Sequence, residues 1–406
     1  VWPYGAGLAP VMPEHVWSDL IPGTTRDGLY QMDGSVDVAG GPLELSSVSD
    51  SLVVSEANPG YPASGRPDVV SYHIFENEEA AIAALQSDQI DTFLSPKGLT
   101  AEQVGVLAPH SEITVQASPA NGVRYLGFNL TRQPMADHAF RDALALVLDR
   151  EELAVQTGTG GVAAYTFIGT ANSRWQDETL AAAQTARYQE SFPSRFAAAV
   201  AGLAEAGYSW ESVPAIDESG SVAPGSELQI RGLKPAPLTI LTSGDAYDPA
   251  RPDYVDKIAE TLGWFGFDVR PVETDFDSVV DLTFTPSDDG LIQYDMYLLG
   301  WTLGSPALPG YYRDLFATGG AMNNTGYSSG VFDGQLAEYE AATDQEQAHN
   351  SLWAMEKTLG IDLPYLLLYT SSINEAYRAD RVAYGEIGVG GIQGRLGAIE
   401  VVKPVD

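Results

Sequence analysis

Segments with the alternating polarity of strands are interleaved along this chain with amphipathic, helix-like segments, and this order limits how the chain can fold. Residues 68–74 alternate as a half-buried strand does, residues 78–85 follow as a helix with an acidic first turn, and residues 90–93 form the next strand. Further strands are predicted at residues 52–54, 123–129, 238–241, 267–272, 296–299 and 366–369. Further helices are predicted within 137–207 and at 254–263 and 345–359, and a Gly/Ser/Pro-rich loop at 213–225. This interleaving predicts helices layered on a sheet, which is the α/β class.

The length of the chain predicts more than one domain. Its 406 residues exceed what a single hydrophobic core ordinarily serves, so two or three domains are expected. Because 44% of the residues are apolar, the chain can bury a sizeable interior, and global disorder is excluded.

Charge excludes two classes of partner. Asp and Glu number 55 against 21 Lys and Arg, which gives a formal net charge of −34. Nucleic acids and anionic membrane surfaces repel such a chain, so neither is expected to bind it. The excess negative charge favours solubility in an exposed or salty compartment, and attraction of cationic substrates is the alternative interpretation.

The sequence offers little basis for catalysis, a cofactor or a metal. It has no cysteine, so thiolate nucleophiles and sulfur-ligated metals are excluded. The glycines of residues 158–161 lack dinucleotide-binding spacing, and the acidic turn at residues 286–290 lacks the alternating oxygen ligands of a calcium loop. No two histidines are four residues apart among His15, His73, His110, His138 and His349. No apolar run reaches the ~20 residues that span a bilayer. We therefore predict no enzyme activity, no cofactor, no metal and no membrane span in this chain.

A set of short blocks is spread over nearly the whole chain. A strand ending in Phe128-Asn129 precedes a helix with an Arg-x-Ala-Leu core, and residues 203–208 read Leu-Ala-Glu-Ala-Gly-Tyr. Residues 294–301 read Tyr-Asp-Met-x-x-x-Gly-Trp, and the other blocks lie at residues 12–17, 41–47, 57–61, 84–91, 140–153 and 323–333. In content and order these blocks resemble the family 5 extracellular solute-binding proteins of ABC importers, the oligopeptide and dipeptide type.

The resemblance implies a periplasmic-binding-protein-like fold of type II, with two lobes joined by crossover hinge strands. Family members carry a further segment before the Pro-x-His block, which here lies at residues 13–15, so lobe I is expected to be incomplete. On this basis residues 1–122 and 376–406 form lobe I, and residues 123–375 form lobe II. The hinge is expected near Tyr125 and Asn374.

The resemblance also suggests ligand-binding residues. Trp301 is the first candidate, with Thr302 beside it, because the family's Gly-Trp opens into the cleft; a core tryptophan is the alternative. Peptide binders of the family place an amine-anchoring aspartate three residues later, where this chain has Gly304. The remaining candidates are two aromatic residues expected in a strand, two asparagines that could instead cap turns, and one residue near the return crossover: Tyr311, Tyr312, Asn129, Asn323 and Tyr369.

The function implied is that of an extracytoplasmic solute-binding subunit, in the periplasm or as a cell-surface lipoprotein. It would capture a peptide or another medium-sized polar solute between its lobes, act as a monomer, and deliver the solute to a permease driven by an ATPase. A lipid anchor would lie on the missing N-terminal portion. Three alternatives stay open: an oligosaccharide receptor of the same family, a signalling or scaffold relative, and an α/β hydrolase.

Overall fold

The structure is a computed structural model of the whole chain. It describes Glu14 and residues 40–62, 67–94, 98–119, 122–156, 161–172, 175–244, 251–285, 294–302, 310–370, 372–385, 387, 391–392 and 399–402. The chain forms two compact units: unit 1 contains Val1–Ser118 and Ile373–Asp406, and unit 2 contains Pro119–Ser372.

Unit 2 is a mixed α/β body. Its strands are β6 (Gly122–Phe128), β7 (Val162–Ala163), β8 (Tyr208–Ser209), β9 (Ala215–Ile216), β10 (Val222–Ala223), β11 (Gln229–Ile230), β12 (Leu238–Ser243), β13 (Val269–Thr274), β14 (Met296–Thr302) and β15 (Tyr365–Thr370). Its helices are α3 (His138–Val147), α4 (Arg150–Gln156), α5 (Glu178–Tyr188), α6 (Phe192–Glu205), α7 (Arg251–Trp264), α8 (Phe276–Phe284), α9 (Gly310–Phe316), α10 (Gly330–Ala341) and α11 (Gln345–Asp362).

One six-stranded sheet organises unit 2, in the order β13-β12-β14-β6-β15-β7. Strand β12 is parallel to both β13 and β14, whereas β6 is antiparallel to both β14 and β15. Because side chains alternate along a strand, successive rows of paired residues point to opposite faces of the sheet. On one face, Leu126, Leu298 and Leu366 share a row and contribute to the main core. Helices α3, α6 and α7 cover this face with apolar residues that include Phe140, Leu144, Phe196, Leu203, Ile258 and Leu262.

A buried arginine ties helix α3 to the end of α11. Arg141 donates from Nε to the carbonyl of Leu363 at 2.9 Å, and from Nη2 to that of Asp362 at 2.6 Å. Its Nη1 donates to the carbonyl of Met135 at 2.7 Å. The last carbonyls of a helix have no partner within it, so Arg141 supplies donors that the end of α11 needs. Burial lowers the pKa of Arg141, but its three bonds keep a compensated cation in the core.

The described residues of unit 1 include three small sheets and two helices of seven or more residues. Its elements are β1 (Leu43–Val48), β2 (Leu52–Ala57), β3 (Val69–His73), α1 (Glu78–Gln86), β4 (Thr92–Phe93), α2 (Ala101–Leu107), β5 (Ile113–Pro119), β16 (Ser372–Arg378), β17 (Val382–Tyr384) and β18 (Ile399–Val401). The sheets are β1-β2-β3, β4-β16-β5 and β17-β18, and a core of its own includes Leu85, Phe93, Leu99 and Leu107. Among the described strands, β3 and β4 each pair on one side only, and both border a groove of about 690 Å³. No helix of the described residues is both long enough and apolar enough to cross a bilayer.

The α/β prediction is confirmed, and two local predictions need correction. The segment 213–225 contains a two-stranded hairpin, β9-β10, closed by a turn in which Asp217 accepts bonds from Ser219 and Ser221. Tyr311 and Tyr312 lie in helix α9 rather than in a strand. Helices α8 and α10 were not predicted, whereas β16 contains Asn374, near which a crossover strand was expected.

Candidate functional site

An aromatic cluster lies on the sheet face of unit 2 opposite the main core. It consists of Tyr125, Tyr297, Trp301 and Tyr365, with Asn324 beside them, and is called the tyrosine cluster below. The strand register produces it, because Tyr297 and Tyr365 flank Gly127 in one row, and Tyr125 lies two residues earlier on β6. The rings of Tyr125 and Tyr365 stack with their centroids 3.9 Å apart.

The glycine in this row makes the cluster possible. A Cβ atom on Gly127 would lie 2.3 Å from the ring of Tyr297, well inside contact distance. Any other residue at this position would displace the Tyr297 ring, and with it the edge-on contact of Tyr297 with Tyr125, whose centroids are 6.4 Å apart.

The cluster contains both satisfied and unsatisfied polar groups. The Tyr365 hydroxyl donates to Asn324 Oδ1 at 2.9 Å, and the Tyr297 hydroxyl donates to the Asn324 carbonyl at 3.0 Å. Three other buried atoms have no hydrogen-bond partner among the described residues: the Tyr125 hydroxyl, Asn324 Nδ2 and Trp301 Nε1. Burial raises the pKa of Tyr125, Tyr297 and Tyr365, so all three hydroxyls are neutral. The hydroxyls of the cluster are therefore uncharged, and the three atoms without a partner have almost no exposed surface.

Trp301 is the member nearest the end of its strand. It is half-buried, pairs in register with Val123, and stacks on Tyr125 with centroids 6.5 Å apart. The ring of Phe284 packs edge-on against it at 5.9 Å. Thr302 ends β14 opposite Gly122. Gly304 lies outside the described residues.

Both predicted asparagines organise turns. Asn129 is buried, and its Oδ1 accepts from the amide and hydroxyl of Thr131 at 3.2 and 2.6 Å. Asn323 donates from Nδ2 to the carbonyls of Ala317 and Tyr327 at 3.0 and 2.7 Å. These bonds favour the turn-capping interpretation, and a ligand contact by either residue stays a prediction.

The predicted tyrosines occupy three different places. Tyr311 is half-buried on α9, whereas Tyr312 is fully buried and its hydroxyl donates to Glu356 Oε1. Tyr369 is buried within the main core, with its ring centroid 5.3 Å from that of Tyr254, and so lies apart from Trp301. The structure thus brings Trp301 and Tyr125 together but leaves Tyr369 on the other face.

Glu356 is a buried carboxylate that the sequence did not single out. Besides the Tyr312 hydroxyl, it accepts from the amides of Phe167 and Ile168 at 2.8 and 3.3 Å. Burial nevertheless raises its pKa to about 7. Nothing in the helical pattern of α11 signals this role, because its partners lie 44 and about 189 residues away along the chain.

The predicted hinge residues lie on either side of the division between units. The chain passes from unit 1 to unit 2 after Ser118, at the end of β5, and returns after Ser372, at the start of β16. Tyr125 lies six residues into unit 2 and is fully buried there. Asn374 lies in unit 1, where its backbone carbonyl accepts from the Leu99 amide at 2.7 Å. A hinge at these points stays a prediction.

The described residues give no support for a metal site. Within the described ranges, His, Asp and Glu side chains nowhere form a group of three that could hold a metal ion.

Comparison with known proteins gives the class to which this fold and cluster belong. The family model described as bacterial extracellular solute-binding proteins, family 5 middle, matches residues 38–323. The oligopeptide-binding protein AppA of Bacillus subtilis is 22% identical over 367 residues, which are 88% of this chain and 61% of that protein. The chain therefore spans less than two thirds of the length of this relative.

Solved structures agree on the fold. AppA of Bacillus subtilis in complex with a nonapeptide superposes with a TM-score of 0.65 at 20% identity, covering 97% of this chain and 72% of that one. The ABC transporter substrate-binding protein CtaP of Listeria monocytogenes gives a TM-score of 0.74 at 16% identity, with coverage of 97% and 72%. This chain is thus an α/β protein of the solute-binding class. It belongs to the bacterial extracellular solute-binding proteins of family 5, as its sequence blocks predicted.

Proposed function

We propose that this chain is the solute-capturing subunit of a bacterial ABC importer, acting outside the cytoplasm. The observation that carries the proposal is the family match over residues 38–323, a stretch that includes both β6 and β14 of the tyrosine cluster. In this proposal the two predicted lobes close on the solute, and the closed form docks on a permease driven by an ATPase. The solute stabilises the closed form only as far as it binds that form better than the open one.

The tyrosine cluster is the proposed floor of the solute site. Trp301 offers a partly exposed indole face, whereas its N–H group is buried. Aromatic faces bind flat or apolar parts of a solute, so the indole face is the proposed contact. Because Gly304 stands where peptide binders carry their amine-anchoring aspartate, the proposed solute is held without an ion pair to an α-amino group.

A panel of free and N-acetylated peptides tests this proposal. Binding is read as thermal stabilisation of the full chain. A receptor without an amine anchor should bind a peptide and its acetylated form with similar affinity, whereas a receptor with an aspartate anchor should bind the acetylated form much more weakly.

Trp301→Ala should remove the stabilisation, while Trp353→Ala should keep it, because the Trp353 N–H already donates to the Trp175 carbonyl at 2.9 Å. Normal binding by Trp301→Ala would show that the site is elsewhere.

An oligosaccharide is the second candidate solute. A partly exposed indole is suited to stacking on the flat face of a sugar ring. Linear oligosaccharides therefore belong in the same thermal panel, and stabilisation by a sugar but by no peptide would favour this candidate.

A further inference from the structure

A buried arginine in unit 2 has more donors than partners. Arg150, the first residue of α4, is only 4% exposed. Its Nη1 donates to the carbonyls of Ala164 and Leu367 at 3.2 and 3.3 Å. Its Nη2 is buried and has no hydrogen-bond partner among the described residues. A guanidinium group keeps its charge in proteins. The Nη2 end of Arg150 is therefore a buried cationic donor that lacks an acceptor among the described residues.

Two tyrosines shelter the cation without neutralising it. The guanidinium carbon lies 4.2 Å from the ring centre of Tyr165 and 4.0 Å from that of Tyr188. Such contacts offset only a small part of the cost of burying a charge that has no counter-ion. Within the described part of the chain, no carboxylate lies within ion-pair distance of Arg150.

A small cavity adjoins this group. It has a volume of about 30 Å³ and is lined by residues that include Arg150, Tyr165, Tyr188, Gln184 and Glu356. A cavity needs roughly 10–15 Å³ of such volume to hold one water, so this one has room for a monatomic ion. The carboxylate of Glu356, also in the lining, is already bonded by Tyr312 and by the amides of Phe167 and Ile168.

The one carboxylate in the described lining, that of Glu356, forms no ion pair with Arg150 and is bonded instead by Tyr312 and two amides, and the cavity has room for little more than a monatomic ion. We propose that it is a binding site for a small monovalent inorganic anion of the halide class, held by Nη2 of Arg150. The net charge of −34 repels anions from the surface in general. Attraction of an anion to this cavity must therefore come from Arg150 itself. The small cavity should favour small anions over large ones.

Comparing anions at constant sodium concentration tests the proposal. The thermal transition of the full chain is followed in sodium chloride, sodium bromide and sodium gluconate, so that cation screening of the acidic surface is the same throughout. Each tenfold increase in chloride or bromide above its dissociation constant should raise the transition of unit 2 by roughly 3–6 °C relative to gluconate. Identical transitions in the three salts would overturn the proposal.

Variants and diffraction locate the ion. Arg150→Met should abolish the difference between chloride and gluconate, whereas Arg313→Met, which removes an exposed arginine paired with Glu340, should retain it. Crystals of the unaltered chain grown in sodium bromide should give an anomalous peak beside Nη2 of Arg150, a result that does not depend on the variant folding. An ordered water with no anomalous signal there would contradict the proposal.

Discussion

Arg141 and Glu356 are both buried in unit 2, and their surroundings compensate them to different degrees. Arg141 makes three bonds to carbonyls, each of 2.9 Å or less. Glu356 also accepts three bonds, yet burial still raises its pKa to about 7. Arg141 should therefore stabilise the fold over the whole accessible pH range. Glu356 should make the free energy of unfolding depend on pH.

Replacing Arg141 should destabilise unit 2 strongly. Arg141→Met leaves the terminal carbonyls of α11 without their donors, and we expect a loss on the order of 3 kcal/mol in the free energy of unfolding. Urea denaturation of the full chain measures it. Arg270→Met serves as control, because Arg270 is exposed and its one ion pair within the described part of the chain is with Asp268, two residues away. Equal effects of the two substitutions would show that the Arg141 bonds contribute little.

Replacing Glu356 should change how stability varies with pH. Its folded-state pKa of about 7 lies above the value of 4.5 expected unfolded, so the folded chain keeps a proton that the unfolded chain releases. Its contribution is therefore present in full below pH 4.5 and lost as the pH rises towards 7. Glu356→Gln stays neutral and should gain stability relative to the unaltered chain between pH 5 and pH 8, by on the order of a few kcal/mol. Glu346→Gln, in the exposed first turn of α11, should show no such gain in urea titrations.

At the scale of elements, local pattern predicted the regular parts of unit 2, and non-local contacts decided the rest. Strand β14 and helix α11 were predicted within a few residues of their observed starts, since their polarity patterns are local. The hairpin β9-β10 was not predicted, because its strands have two residues each and show no period. The tyrosine cluster depends on pairing across three strands, and Tyr365 bonds a residue 41 positions away. Trp301 was predicted as a ligand contact and Tyr125 as a hinge residue, whereas Tyr297, Asn324 and Tyr365 were not singled out.

Strand β6 should tolerate no side chain at Gly127. Gly127→Ala places a methyl group against the Tyr297 ring, and overpacking of this kind costs about 1–3 kcal/mol. Gly202→Ala is the matched control: this glycine lies inside α6, and its new Cβ would meet nothing within 4 Å. It should raise stability by up to about 1 kcal/mol, since alanine favours helix. If calorimetry shows the two variants moving in the same direction, the packing described for the cluster is wrong.

At the scale of the whole molecule, two properties dominate: the division into two compact units and the large negative charge. Unit 2 is a continuous stretch of chain with its own sheet and core. We therefore expect residues 119–372, expressed alone, to unfold in one cooperative thermal transition followed by circular dichroism. A broad transition without native-like aromatic signals would show that unit 2 depends on the rest of the chain.

The charge should make stability depend on salt. With a net charge of −34, self-repulsion opposes the compact state, and it weakens as the screening length falls from about 30 Å at 0.01 M salt to about 3 Å at 1 M. The thermal midpoint should therefore rise with sodium gluconate concentration over this range. A midpoint that is flat or falls would show that the acidic residues are too widely spaced to repel one another appreciably.

The central claim is that this chain captures a solute, and native mass spectrometry of freshly purified protein tests it most directly. The account predicts a population of the full chain carrying one additional small mass, which denaturing releases and fragmentation identifies, and which is absent from Trp301→Ala prepared in the same way. A chain that carries no such mass, and that no peptide or oligosaccharide stabilises, would contradict the claim.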